Sequence, residues 1–287
     1  MKNKYYLSIA LLVSFWLFPS LGIAKDFVFT AIPDQDETHL VERFSKVATY
    51  LQQTLGVPVR YVPVKSYAAA VSAFRRNDVQ LAWFGGLSGE QARALVPGSQ
   101  AIAQGYEDQF FKTYFIAHAS TNITYSKEFP KAIAGKTFTF GSKGSTSGRL
   151  MPEFYVRENL GEPDKVFERV GFSGDHSRTI TLVQAGSYQV GAVNYQVWQT
   201  KLQRKEIDES AVTVIWETPV YPDYQWTIRG DVDLSQGVGF SDRVRQALLS
   251  IDDPALLAAF PRQSFVPAKN SDYQPIYQTA KDIGLMD

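Results

Sequence analysis

The chain has 287 residues, 29 basic against 29 acidic, 45% of them hydrophobic and none a cysteine. The balanced charge excludes the overall basic field of a nucleic-acid binder. The lack of cysteine excludes a disulfide-stapled module, and the length and apolar fraction suit one large or two small domains with a self-sufficient core.

Read in chain order, Lys2 and Lys4 precede an apolar run from Leu7 to Phe18, and "PSLGIA" then leads into Lys25-Asp26. This is the pattern of a cleavable signal peptide over residues 1–24, with Ala24 its last residue. The run is shorter than the roughly 20 residues of a membrane span. Loss of Lys2 and Lys4 leaves 27 basic and 29 acidic residues, a formal charge of −2. Export without disulfides points to the bacterial periplasm.

The mature chain alternates strand and helix patterns. "DFVFTAIP" (26–33) reads as a strand. Leu40, Phe44, Val47, Leu51 and Leu55 recur at helical spacing, and Gly56 is placed to end that helix. A strand at 57–64, a helix at 67–78, an apolar strand at 79–85 and a helix at 88–95 follow, with a further strand at 112–119. A second block holds strands at 135–141, 165–172 and 188–194 and helices after residue 145, at 176–186 and at 195–203. The stretch 212–229 carries the chain onward to an amphipathic helix at 241–251.

The expected fold is therefore α/β, with mixed, mostly parallel sheets in two lobes. Residues 25–119 and 217–287 form lobe 1, and residues 120–216 form lobe 2, inserted into it. In such folds ligands lie beyond the carboxyl ends of the strands, and a cleft between two lobes is the default site.

"FGSKGSTSGRL" (140–150) places Ser145, Thr146 and Ser147 between two glycines at a helix start. Unpaired amides and partial positive charge gather there, so hydroxyls and glycines at that point make an oxyanion cradle. Plain capping is the competing reading, since Ser and Thr are common caps. The phosphate-loop pattern is absent, because Gly148 is followed by Arg149 and Leu150. A Ser145–His176–Asp223 triad is disfavoured, because "GSTSG" centres on Thr146 and is no nucleophile elbow.

With "VPVKSYAAAVSAF", "VQLAWFGG", "GDHSRTITLVQAG" and "IWETPVYPDYQW", this cluster resembles the phosphonate-binding proteins of ABC importers. These are a branch of the two-lobed (type II-like) periplasmic solute-binding proteins, and the likeness runs over about residues 26–275. The resemblance implies that Ser145, Thr146 and Ser147 hold ligand oxygens with their amides, and that Tyr67 and His176 donate to the same group. Tyr114 would be a pocket aromatic, and Asp223 an acidic residue facing the ligand. Trp83 and Phe84 end a strand and are either cleft wall or core. His39 reads as solvated and His118 as structural. No histidine pair has metal-ligand spacing, so neither metal nor cofactor is expected. The expected function is a periplasmic, non-enzymatic shuttle that hands a small tetrahedral oxyanion to an inner-membrane permease. Phosphonate, phosphite and a selenium oxyanion all remain open as ligands. The alternative role for the same fold is a sensor feeding a membrane receptor.

Overall fold

The computed structural model describes residues 26–286, so the expected signal peptide lies outside the described residues. The chain runs β1 (Phe27–Ala31), α1 (Glu37–Leu55), β2 (Val59–Tyr61), α2 (Tyr67–Arg75), β3 (Leu81–Phe84), α3 (Gly86–Leu95) and β4 (Gln100–Gly105). Then come β5 (Thr113–His118), β6 (Thr137–Phe140), α4 (Met151–Asn159), α5 (Pro163–Val166), β7 (Arg169–Phe172), α6 (His176–Gln184), β8 (Val190–Asn194), α7 (Tyr195–Gln203) and β9 (Val212–Glu217). The tail holds β10 (Gln225–Ile228), α8 (Val232–Gln236), α9 (Phe240–Leu249), α10 (Pro254–Ala259), β11 (Phe265–Pro267) and α11 (Gln274–Asp282).

Local chemistry sets these boundaries. Asp36 caps α1 by accepting from the His39 amide, and Gly56 ends it in the left-handed region at φ 69°. β2 is shorter than its apolar run because Pro58 and Pro63, which flank it, lack amide donors. The expected strand at 165–172 is split: Pro163–Val166 forms one helical turn, and only Arg169–Phe172 pairs with β6. β4 escaped the pattern reading because its apolar positions include Ala101 and Ala103, weak strand formers.

Two mixed sheets result, in the orders β11-β4-β10-β3-β1-β2 and β7-β6-β8-β5-β9. The parallel part that the alternation predicts is β2-β1-β3 in one and β7-β6-β8 in the other. The strands that cross between sheets or return from the tail pair antiparallel, which makes the sheets less parallel than expected. The expectation that left residues 112–119 in lobe 1 is corrected: β5 pairs with β8 and β9, so it belongs to the second sheet. The chain leaves the first sheet before Thr113 and returns after Glu217. The two crossings run side by side, with Phe111 and Tyr221 exchanging both backbone hydrogen bonds at 2.9 Å.

Each sheet builds its own core. Phe27, Phe29, Phe44, Trp83, Trp226 and Phe260 pack around the first. Phe115, Phe138, Phe140 and Trp216 pack on one face of the second sheet, and Ile116, Ile180, Val183 and Val193 in a separate cluster. Neighbours Phe115 and Ile116 fall in different clusters, as the two-residue strand period requires.

Candidate ligand-binding site

The amino ends of four helical segments meet between the sheets. α2 and α3 start from the first sheet's side, and α6 and the segment leading into α4 from the second's. Each brings unpaired amides and the positive end of its dipole.

Ser145 caps its own segment, its Oγ accepting the Gly148 amide at 2.9 Å. The first turn is wide, with the Leu150 amide reaching back five residues to the Ser145 carbonyl at 3.0 Å. The amides of Thr146 and Ser147 therefore open the turn with no acceptor inside it. Tyr67, the first residue of α2, places its hydroxyl beside the Ser145 side chain. Thr146 Oγ1 accepts the Leu87 amide of α3 at 3.0 Å and lies beside the Asp223 carboxyl. Ser147 Oγ lies 3.4 Å from His176 Nε2 and beside the Tyr221 hydroxyl, which bonds Thr113 Oγ1 at 2.6 Å.

Asp223 Oδ1 accepts the Gly86 amide at 2.8 Å, and burial pushes its pKa up to about 7. Gly85 beside it keeps that approach close: a Cβ there would sit a tight 3.0 Å from Asp223 Oδ1 and 3.2 Å from Thr146 Oγ1, pushing on both side chains. His176 is fully buried, and that burial drives its pKa down to about 3, so the ring is neutral. Its Nδ1 accepts the Asn194 amide at 3.3 Å, which leaves the ring proton on Nε2, on the side of Ser147. The site thus offers neutral donors and one buried acid that changes charge near neutral pH.

Of the residues named from sequence, Tyr67, Ser145, Thr146, Ser147, His176 and Asp223 are brought together. Tyr114 is not. Its half-buried ring packs on Tyr195, and its hydroxyl accepts from Gln199 at 3.3 Å, because alternation along β5 turns Tyr114 away from the face that Thr113 shares. Thr113 is the β5 residue at the site, donating to the Ser147 carbonyl at 2.9 Å. Phe84 is core, edge-on to Phe74. Trp83 is also core, stacked on Tyr224 at 5.5 Å, although its edge borders a small cavity between the sheets. His118 closes a turn onto Ser120, and His39 is half-buried, bonded to Asp36 and Arg204. Sequence reading missed Asp34, Thr113, Asn194, Tyr221 and Tyr224. Only Asn194 carried a signal, as an Asn just before a helical run.

Residues 29–273 match the family model described as ABC transporter, phosphonate, periplasmic substrate-binding protein. The chain belongs to this family. A member of the phosphonate-binding family is the periplasmic substrate-binding component of an ABC transporter and not an enzyme. A probable ABC transporter phosphite-binding protein, PhnD1 of Prochlorococcus marinus, is 37% identical over 290 residues, covering 98% of this chain and 97% of its own. The solved structure of PhnD1 from that organism in complex with methylphosphonate matches with a TM-score of 0.87 at 36% identity, covering 91% of this chain and 99% of that one. The phosphonates-binding periplasmic protein of Escherichia coli is 25% identical over 204 residues, covering 69% of this chain and 59% of its own.

Proposed function

We propose that this protein captures a small phosphorus oxyanion, phosphite or methylphosphonate, between its lobes and delivers it to an ABC permease in the inner membrane. The leader that Lys2, Lys4, Leu7–Phe18 and Ala24 outline would carry it to the periplasm and be removed there. The similarity to PhnD1 supports the ligand class.

The observation that carries the reading is the pairing of neutral donors with one buried acid. Ser145, Ser147, Tyr67, His176 Nε2–H and the first-turn amides satisfy anionic oxygens without a buried counter-ion. Asp223 then accepts from an oxygen that keeps its proton, or donates its own proton to an ionised one. Either way the Asp223–ligand pair shares one proton. An anion with no proton to share, such as sulfate or selenate, can draw only on the proton of Asp223, and once Asp223 is ionised it is repelled. The fourth substituent of phosphite or methylphosphonate, a hydrogen or a methyl, asks for no hydrogen bond.

Calorimetric titration of the mature protein with phosphite, methylphosphonate, phosphate, sulfate, selenate and selenite tests this. Phosphite or methylphosphonate is expected to bind at micromolar concentration or tighter, with sulfate and selenate silent. Sulfate binding as tightly as phosphite, or silence from every anion, overturns the reading.

A further inference from the structure

Outside the oxyanion cradle, two hydrogen bonds between fully buried partners cross between the lobes, while the Arg204–His39 bond at 2.9 Å and the Gln196–Pro261 bond at 3.5 Å cross nearer the rim. The His176 backbone amide donates to the Asp34 carbonyl at 3.0 Å. The Asn194 side-chain Nδ2 donates to the Tyr224 hydroxyl at 3.1 Å. His176 and Asn194 come from the second sheet's side, and Asp34 and Tyr224 from the first's, at the ends of β1 and the start of β10. The Tyr224 hydroxyl also faces the Asp34 side chain, so the two crossings lie together on one lobe.

Local chemistry fixes the orientation of each partner. Asn194 Oδ1 accepts the Gln196 amide at 2.7 Å and the Val197 amide at 3.3 Å, capping α7, which points Nδ2 at Tyr224. The Tyr224 ring is held between Trp83 at 5.5 Å and Phe111 at 5.3 Å. Among the buried polar atoms without a protein partner in the described residues, two face each other across this seam: Asp34 Oδ1 and, from the other lobe, Gln196 Oε1. Asp34 is 3% and Gln196 7% exposed, and both line one cavity of about 10 Å³, with Arg43 and Arg262 on its wall. That is room for one water, which would bridge the lobes a third time. Buried polar groups arranged this way are satisfied only when the lobes meet, and unsatisfied they are costly.

We infer that Asp34, Asn194 and Tyr224 form a closure strap: positioning residues that hold the lobes shut and keep His176 aimed at the ligand. The inference rests on the oxyanion reading. A strap formed after capture acts on release, and it acts equally on every ligand. Tyr224→Phe keeps the ring packing and removes only the hydroxyl. Asn194→Asp keeps the α7 cap and puts an acceptor, repelled by Asp34, where the donor was.

Stopped-flow tryptophan fluorescence with each anion that binds the wild type gives the test. Tyr224→Phe is expected to speed release 10-fold or more, leave association within about twofold, and do so by the same factor for each anion. Asn194→Asp should act in the same direction, and the double variant should be little worse than the worse single one, because both cut the same strap. The melting temperature of the ligand-free variants should match wild type. Release unchanged in both variants, a loss confined to one anion, a loss in association alone, or an equal fall in ligand-free melting temperature overturns the strap. A wild type that answers no anion overturns instead the oxyanion reading on which it stands.

Discussion

Asp223 and His176 carry opposite titration signatures, and both come from burial. Asp223 rises from 3.8 to about 7, so the folded state binds the extra proton and stability falls as pH rises across that window. His176 falls from 6.5 to about 3, so the unfolded state binds the extra proton and stability falls as pH drops across that window. From about pH 4 to 6.5 these two slopes offset each other. Above it Asp223 acts alone, so their joint contribution to the ligand-free melting temperature declines towards pH 7 and levels off beyond. Asp223→Asn should remove that decline, which a melting series from pH 5 to 9 checks. The same variant should flatten the pH dependence of phosphite affinity and admit sulfate. Ser147→Ala removes one donor to a charged oxygen, an interaction of about 1.5–3 kcal/mol, so affinity should fall by roughly 10- to 150-fold in calorimetry. The hydroxyl run and His176 were legible because each stands at a visible helix start. Thr113, Asp34 and Tyr224 were not, because their roles depend on partners 34, 142 and 30 positions away in the chain, at Ser147, His176 and Asn194.

At the scale of elements, the site is a set of helix starts held close by glycine. Gly148 shows how tight the fit is: a Cβ there would lie 3.1 Å from the Gly141 Cα and 3.0 Å from His176 Cε1. The Gly141 backbone has no flexible end that can yield. Gly148→Ala should cost about 1–3 kcal/mol in urea unfolding, the range for overpacking, and weaken anion binding by displacing His176. Unchanged stability together with unchanged affinity would show that the turn has slack. Helices were read well wherever a polar cap met an apolar stripe, as in α1 and α6. Strands were read less well. Tyr114 was chosen as an aromatic on the right strand, but the face it occupies follows from the register of β5 on β8, which pairs Tyr114 with Val193. No local pattern encodes that register.

At the scale of the molecule, two lobes joined by the paired crossings at Phe111 and Tyr221 make a hinge of two short chains. The two βα blocks announced the lobes. The sheet to which β5 belongs could not be read from its own residues, since any apolar alternating strand fits either sheet; the pairing with β8 and β9 decides it. Capture by closure predicts a smaller radius of gyration with ligand, measurable by small-angle scattering. In the proposed function Ser145 to Ser147, Tyr67, His176 and Asp223 surround one oxyanion. A crystal structure of the mature protein grown with methylphosphonate tests it most directly. Phosphonate oxygens are expected within about 3.2 Å of Ser147 Oγ, His176 Nε2 and an Asp223 carboxyl oxygen. Phosphonate found elsewhere, or bound with His176 and Asp223 turned away, would contradict it.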